Sequence, residues 1–157
     1  MSTTLPLQFD VIGHVRTSVP DAEIARRRRE LVALVEVLPR YADGLTGIEA
    51  YSHLIVLFWM DRAGPPERLR CHPRGDATVP EVGVFAARGR NHPNPIGLAV
   101  VELVARAENR LTVRRLDAYD GTPVIDIKPY DHYDRVTDPR VPEWFRQRAL
   151  SGRSGVR

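Results

Sequence analysis

Residues 98–128 decide the fold of this chain and read LAVVELVARAENRLTVRRLDAYDGTPVIDIK. They contain three apolar, β-branched runs of strand length, which are Leu98 to Ala105, Leu111 to Leu116 and Val124 to Lys128. The turn signals Glu108-Asn109-Arg110 and Asp120-Gly121 separate the three runs. Because strands joined by short turns usually pair in sequence order, this stretch predicts an antiparallel meander.

Three more strand-like runs precede the meander, namely Phe9 to Val15, Leu31 to Leu38 and His53 to Met60. Residues 39–50 leave room for at most one helical turn, and the prolines between Arg62 and Val82 predict a long loop. Only Val141 to Leu150 resembles a helix, with Pro142 in its first turn. Six or seven short strands with one short C-terminal helix predict an all-β protein, either a β-barrel or another closed sheet.

Length and composition are those of an ordinary globular domain. The chain has 157 residues, of which 43% are hydrophobic and 27% are charged. We therefore expect a single domain over 1–157, with its core at residues 8–131 and a C-terminal helix and tail at 141–157. Residues 151–157 are expected to be a frayed tail.

Cysteine usage and hydropathy favour a soluble cytoplasmic protein. The single cysteine, Cys71, excludes an internal disulfide and agrees with a reducing compartment. The longest apolar run, Leu54 to Met60, is far too short to cross a bilayer, so we expect no membrane association.

Positive charge is carried almost entirely by arginine. The formal net charge is +3, and Lys128 is the only lysine among the 23 basic residues. The run Arg26–Arg29 offers four consecutive guanidinium groups that suit a phosphate backbone. The alternative is the solvated face of a loop or helix, which the modest net charge also allows.

Residues 83–97, GVFAARGRNHPNPIG, carry the densest chemistry of the chain, and we call them the signature loop. His92 and Asn94 each precede a proline, so extended backbones and side chains on one side of the loop are expected. Arg88 and Arg90 provide planar donors that suit a carboxylate or a phosphate. The pattern predicts a ligand-binding loop or, alternatively, a proline-stiffened connection between two strands.

The last predicted strand presents a second polar set. Asp126, Lys128 and Tyr130 alternate along the strand and share one face, while Ile125 and Ile127 are expected to point into the core. This polar face is either part of a site or a surface salt bridge beside a tyrosine.

The remaining polar residues and glycines show no spacing that is typical of a metal site, a catalytic nucleophile or a Rossmann domain. Asp117 and Asp120 flank a turn, where aspartate commonly binds its own backbone. The five histidines lack ligand spacing, so we expect no metal site. The chain has no recognisable nucleophile elbow and no glycine fingerprint of a Rossmann domain.

Two motifs resemble those of the TsaA-like family, also called the TrmO family: the signature loop, and DGTPVIDIKPY at 120–130. The resemblance extends through IGHVRT at 12–17 and LTGIEAYSHL at 45–54. It implies a small TsaA-like β-barrel that binds S-adenosylmethionine without a Rossmann fold and forms a homodimer with the cofactor near the subunit interface. Characterised members methylate N6 of threonylcarbamoyladenosine at position 37 of tRNA, so the resemblance also implies a tRNA methyltransferase.

The resemblance places candidate site residues on this sequence. The cofactor contacts that it implies are Asp61, Arg62, Arg88, Leu98, Asp117, Ala118, Tyr119 and Asp120. The candidates for orienting the methyl acceptor and accepting a proton are His92, Asn94, Asp126, Lys128 and Tyr130.

Three departures from the family pattern keep a second function open. His92 stands where arginine is usual, Asp61 stands where histidine is frequent, and no Pro-x-Gln element occurs near Glu23 to Ala25. The first function is a methyltransferase that holds the anticodon stem-loop of tRNA with Arg26–Arg29. The second is a small-molecule methyltransferase, or a cofactor-binding module without tRNA activity.

Overall fold

The computed structural model describes residues 7–150, with side chains described through Arg148, so the expected frayed tail lies outside the described residues. Strands and α-helices follow in the order β1 (Gly13–Arg16), α1 (Asp21–Arg27), β2 (Val32–Val37), β3 (His53–Trp59), β4 (Arg70–Cys71), β5 (Val82–Gly83), β6 (Ile96–Ala107), β7 (Arg110–Arg114), β8 (Pro123–Pro129) and α2 (Glu143–Leu150). Short 3₁₀ helices lie at Pro39–Leu45, Ile48–Ala50, Pro73–Gly75, Val84–Ala86 and His132–Asp134. Among residues 7–150, no helix is both long and apolar enough to cross a membrane.

The described chain divides into two compact units. The barrel unit consists of residues 7–62 and 95–130, and the loop unit consists of residues 63–94 and 131–150. The expectation of a single domain over 1–157 stays a prediction.

The barrel unit is a closed antiparallel barrel with the strand order β1-β2-β7-β6-β3-β8, which confirms the expected all-β barrel. The meander expected for residues 98–128 is correct only for β6 and β7, which form a hairpin. β8 does not pair with β7, because residues 115–122 carry the chain across to β1 and β3 instead.

Period-two alternation fills the barrel with aliphatic side chains. In β3, Leu54, Val56 and Phe58 face inward and are at most 5% exposed, while the residues between them are more exposed. Burial of such side chains is the main favourable contribution to folding, and it leaves a packed interior. The buried members of this core are Val15, Ala33, Val35, Val37, Leu45, Leu54, Val56, Phe58, Ala99, Val101, Leu111, Val113, Leu116, Ala118 and Val124.

A β-bulge in β8 changes which of its residues face the core. The register against β3 shifts between Val124 and Asp126, so Ile125 is an extra residue without a partner in β3. Val124 and Ile127 therefore both contact the core, although they are three positions apart. The prediction that Ile125 points into the core is wrong, because the inserted residue resets the alternation.

The loop unit has its own internal contacts. β4 and β5 form a two-stranded antiparallel pair, and Val79 and Val84 are buried. The ring Nδ1 of His72 donates to the carbonyl of Val79 at 2.8 Å. In α2, the guanidinium of Arg148 pairs with the carboxylate of Asp76.

Helix α1 is absent from the sequence prediction, which placed a helix only near the C-terminus. Only Ile24 of its residues is buried, so apolar periodicity gives no signal. Its end signals are nevertheless present, because Pro20 precedes it, acidic residues occupy the first turn, and Arg26 and Arg27 occupy the last. The Arg26–Arg29 run thus begins on a helix, and its side chains are exposed.

Three boundaries also differ from the sequence prediction. β1 begins at Gly13 rather than Phe9, whose ring packs against Trp59 at a centroid distance of 6.3 Å. The 3₁₀ helix Pro39–Leu45 has seven residues, which exceeds the single turn expected. The long loop expected at 62–82 contains β4 and the first residue of β5, a pair too short for periodicity to reveal.

Replacement of Gly97 by alanine is predicted to destabilise the barrel. It lies opposite Phe58 across β3 and β6, and a Cβ at Gly97 would overlap the buried Phe58 ring. We expect Gly97→Ala to lower the free energy of unfolding by about 1–3 kcal/mol, the usual cost of overpacking. Gly44→Ala is the matched control, because a Cβ there meets nothing within 4 Å. Urea denaturation measures both variants, and equal midpoints would contradict this packing.

Candidate functional site

The segment Asp117–Asp120 forms an exposed polar turn with a buried foundation. Leu116 and Ala118 are buried in the barrel core, at 1% and 4% exposure. Asp117, which lies between them, and Asp120, which follows Tyr119, are exposed. The buried side chains hold the turn in place while its carboxylates stay accessible.

The two aspartates of this turn differ in their partners. The Oδ1 atom of Asp120 accepts from the backbone N–H of Thr17 at 3.0 Å. The next residue, Gly121, donates its N–H to the carbonyl of Val15 at 2.8 Å. Asp120 therefore holds the turn to the end of β1, as aspartates in turns often do, while the exposed Asp117 projects from the same turn.

Arg62 connects the turn to α1. Its guanidinium pairs with the carboxylate of Asp21, donates to the carbonyl of Asp120 at 3.2 Å and lies over the ring of Tyr119 at 4.9 Å. We call Asp21, Arg62, Tyr119 and Asp120 the Arg62 junction. Asp61, the neighbouring residue and another predicted cofactor contact, is exposed.

Asp126 and Lys128 form an ion pair on β8, with the Lys128 Nζ 2.8 Å from the Asp126 Oδ2. The second carboxylate oxygen, Oδ1, accepts from the backbone N–H of Ile127 at 2.9 Å. The hydrogen bond to Asp126 and its negative charge raise the pKa of Lys128 above its ordinary value. Lys128 is therefore an ammonium group at neutral pH, with one defined partner.

Tyr130 lies next to a histidine that the sequence analysis did not select. The Tyr130 and His53 rings meet edge to face with centroids 6.4 Å apart, and the Tyr130 N–H donates to the His53 carbonyl at 3.1 Å. The hydroxyl of Ser52 and the Nδ1 atom of His53 are 2.8 Å apart. Only the pairing of β3 with β8 brings His53 to Tyr130, and local spacing along the sequence does not reveal it.

Leu98 belongs to an apolar strip on the outer side of the barrel, which we call the outer stripe. In β6, Ile96, Leu98 and Val100 are 40%, 47% and 42% exposed. Their partners across the strand pair are Trp59, Leu57 and Ile55 in β3. Leu98 is thus an exposed apolar side chain and not part of the barrel interior.

The remaining candidates, Arg88, His92 and Asn94, belong to the loop unit. The ring of His92 is half-buried, and its Nε2 donates to the carbonyl of Ala87 at 3.0 Å. The same ring meets that of Phe85 edge to face, with centroids 5.8 Å apart. Arg88 and Asn94 are exposed.

A shallow depression of about 400 Å³ elsewhere on the barrel unit contains none of these candidates. Its lining residues are Pro39, Ala42, Arg106, Glu108 and Asn109. The Arg106 guanidinium is already engaged by Glu49 and by the carbonyl of Leu45, each at 3.0 Å. The candidates therefore lie outside this depression, and those of the barrel unit lie at the exposed turn, on the outer strand faces and just after β3.

Within the described part of the chain, no group of three or more His, Cys, Asp or Glu side chains is arranged to hold a metal ion. The structure brings together Arg62, Tyr119 and Asp120 in one cluster and Asp126 with Lys128 in another. Asp21, which pairs with Arg62, and His53, whose ring meets that of Tyr130, were not candidates from the sequence.

The small closed barrel, with polar candidates on an exposed turn and an outer strand face, is the kind of protein that the TsaA-like resemblance implies. The chain belongs to the tRNA-methyltransferase O N-terminal domain family, whose model matches residues 16–135.

Similar proteins agree with this membership. An S-adenosyl-L-methionine-binding protein of Archaeoglobus fulgidus is 49% identical over 110 residues, which are 70% of this chain and 77% of that protein. A probable S-adenosyl-L-methionine-binding protein of the same organism is 47% identical over 114 residues, or 72% of this chain. A crystal structure of TrmO is 33% identical with a TM-score of 0.71 and covers 87% of this chain.

Some of these relatives are much longer than the matched region. This chain covers 30% of the second A. fulgidus protein and 64% of the TrmO chain. The comparison therefore establishes the family and the barrel fold.

The Asp126–Lys128 pair predicts a measurable titration. Because Lys128 is the only lysine, lysine labelled with an NMR-active nitrogen at Nζ gives one side-chain signal, whose titration reports its pKa. We expect Asp126→Asn to lower this pKa towards that of an isolated lysine, since the negative charge is removed and only a weaker, neutral acceptor is left. Glu102→Gln is the control, because that carboxylate pairs with Arg114. A pKa that Asp126→Asn leaves unchanged would contradict the ion pair.

Proposed function

We propose that this protein is an S-adenosylmethionine-dependent methyltransferase that acts on N6 of threonylcarbamoyladenosine at position 37 of tRNA. The observation that carries the proposal is the match of the tRNA-methyltransferase O domain to residues 16–135, a range that includes every candidate site residue. The names of the A. fulgidus relatives support the choice of cofactor.

The residues of the exposed turn fit the cofactor chemically. S-adenosylmethionine, when bound, supplies an electrophilic methyl group on a cationic sulfonium. A carboxylate held against the sulfonium would stabilise the ground state more than the transition state, which slows the transfer. Asp117 therefore suits the ribose hydroxyls or the ammonium group of the cofactor. Arg88 suits its carboxylate through a bidentate, charge-assisted pair, and Leu98 offers exposed apolar surface.

Arg62 and Asp120 have a positioning role in this proposal. The Asp120 Oδ1 already accepts from Thr17, and Arg62 already pairs with Asp21. Both residues thus hold the Asp117–Asp120 turn in one conformation, which lowers the entropic cost of binding to it. Asp117 is exposed and has no such structural partner within residues 7–150, so the cofactor contact falls most naturally on its carboxylate.

The acceptor side of the reaction is assigned to the outer face of β8. The acceptor is an exocyclic nitrogen that also carries the carbamoyl group, and transfer requires alignment of this nitrogen with the methyl group. Lys128 donates hydrogen bonds to the acceptor but does not accept its proton, because Asp126 raises its pKa. Asp126, Tyr130, His92 and Asn94 are the candidates for orienting the acceptor nitrogen and accepting the late proton.

The Arg26–Arg29 run is assigned to the tRNA. These four side chains are exposed. Helix α1 connects them to the Arg62 junction, because it begins at Asp21, a member of that junction, and ends at Arg27. Arginines at this density neutralise phosphates, while the unpaired bases of an anticodon loop remain available to the protein. A cytoplasmic location goes with this substrate and with the single cysteine.

We assign the outer stripe to a homodimer. Three exposed apolar side chains of β6 oppose three apolar residues of β3, so the patch is continuous across two strands. Continuous apolar surface of this kind marks an interaction site, and a closed two-fold interface buries the same patch of both subunits.

The first functional prediction separates cofactor binding from acceptor positioning. Arg88→Lys should weaken cofactor binding by about 1–3 kcal/mol, because an ammonium cannot replace a bidentate fork. Lys128→Ala should leave cofactor affinity nearly unchanged and lower turnover. Calorimetry and methyl-transfer assays measure the two effects, and Arg90→Lys in the same loop is the control for cofactor binding by calorimetry. Normal binding and turnover in both variants would mean that these residues lie outside the site.

The substrate is tested with total tRNA and a labelled methyl donor, followed by digestion to nucleosides. We expect the label in threonylcarbamoyladenosine. Cofactor binding without labelled tRNA would favour the small-molecule methyltransferase or the cofactor-binding module instead.

If the outer stripe forms the dimer interface, a single negative charge placed in it should dissociate the dimer. Light scattering of the unaltered protein should give about twice the chain mass of 17.7 kDa. Val100→Glu should shift the protein to the monomer, because a buried unpaired carboxylate is costly. Val32→Glu is the matched control, because Val32 is 48% exposed on β2, away from the outer stripe. A dimer that persists in Val100→Glu would place the interface elsewhere.

A further inference from the structure

The ring of Phe85 is one of the most exposed aromatic side chains in residues 7–150, at 79% exposure. Phe85 is the central residue of the 3₁₀ turn Val84–Ala86, and it follows the buried Val84. The N–H of Val84 donates to the Leu69 carbonyl at 3.1 Å, and that of Ala87 donates to the Val84 carbonyl at 3.2 Å. Because Val84 points inward and the turn is closed, Phe85 is held pointing into solvent.

His92 supports this ring from within the same loop. Its ring lies edge to face against Phe85 at 5.8 Å between centroids, and its Nε2 bonds the Ala87 carbonyl at 3.0 Å. One contact orients the Phe85 ring, and the other ties His92 to the turn that carries it. We call Phe85 and His92 the aromatic platform. A ring oriented in advance loses little conformational entropy when a ligand stacks on it.

The surroundings of the platform are cationic. Residues 83–94 contain Arg88 and Arg90 and no aspartate or glutamate. The preceding acidic residue, Glu81, is paired with both Arg68 and Arg70. An exposed aromatic ring flanked by arginines is the combination that proteins use for single-stranded nucleic acid, with bases on the ring and phosphates at the cations.

From this arrangement we infer that Phe85 stacks on an unpaired base of the RNA substrate, with Arg90 at an adjacent phosphate. The inference rests on the proposed function and adds to it a base contact at a residue outside the candidate site. A second copy of the chain is a poorer occupant, because a two-fold interface at this loop would bring arginines close to their own symmetry mates. RNA neutralises the same charges.

The test uses a fluorescently labelled RNA stem-loop with an unpaired loop and a duplex in which the same loop sequence is paired. Phe85→Ala lowers stem-loop affinity by about ten-fold or more, since a stacked base is lost, and leaves duplex affinity unchanged. Phe85→Tyr retains a stacking ring and stays within about two-fold of the unaltered protein. The slope of log affinity against log salt is unchanged in Phe85→Ala and falls by about one in Arg90→Gln.

Cofactor calorimetry on each variant separates the two proposals. Unaltered protein that binds cofactor but not the stem-loop overturns both the tRNA substrate and the aromatic platform. Stem-loop binding that Phe85→Ala leaves intact overturns the platform alone. A change in the light-scattering mass of Phe85→Ala with normal RNA affinity also overturns it, and identifies Phe85 as a protein contact. Loss of stem-loop affinity in Phe85→Ala, rescued in Phe85→Tyr with cofactor binding constant, supports it.

Discussion

Closure of the barrel by β8 is the constraint on which the rest of the barrel unit depends. β8 pairs with β1 on one side and β3 on the other, and backbone bonds from Ile12 to Val124 and from Val15 to Thr122 complete the ring. A barrel of six strands is narrower than the eight-stranded barrels that side chains just fill, so its interior is all core. Any ligand must therefore bind on the outer face or at the loops, where the polar candidates lie.

The sequence predicts the position of individual strands well, but it does not predict which strands pair with each other. β3 was predicted almost to the residue, because apolar side chains alternate along it and polar or loop residues bound it. The sequence did not indicate the pairing partners of β8, because a turn at Asp120-Gly121 also suits a hairpin with β7. Nothing local indicates that residues 115–122 carry the chain to β1 instead. Helix α1 was missed because it buries only Ile24, and a helix that contributes so little to the core has no periodicity to detect.

The same distinction applies to the candidate site. Asp126 and Lys128 lie two positions apart on one strand, and this spacing alone was enough to suggest an ion pair as one of two interpretations. The Arg62 junction joins residues from α1, the end of β3 and the β7–β8 turn, and no local rule brings these segments together. The resemblance to a family implies Arg62 as a cofactor contact, which stays a prediction, and it gives no indication of the contacts of Arg62 with Asp21 and Tyr119.

The bulge at Ile125 links barrel closure to the chemistry of β8. Strict alternation from the inward-facing Val124 would turn Asp126 and Lys128 into the core, where an ion pair pays a large desolvation cost. The extra residue shifts the alternation, so Ile127 faces the core and Lys128 faces outward. It also lets one oxygen of Asp126 accept from the backbone of Ile127 while the other holds the ammonium of Lys128. The irregularity that the sequence pattern could not reveal is thus what keeps this ion pair on the outer face of β8.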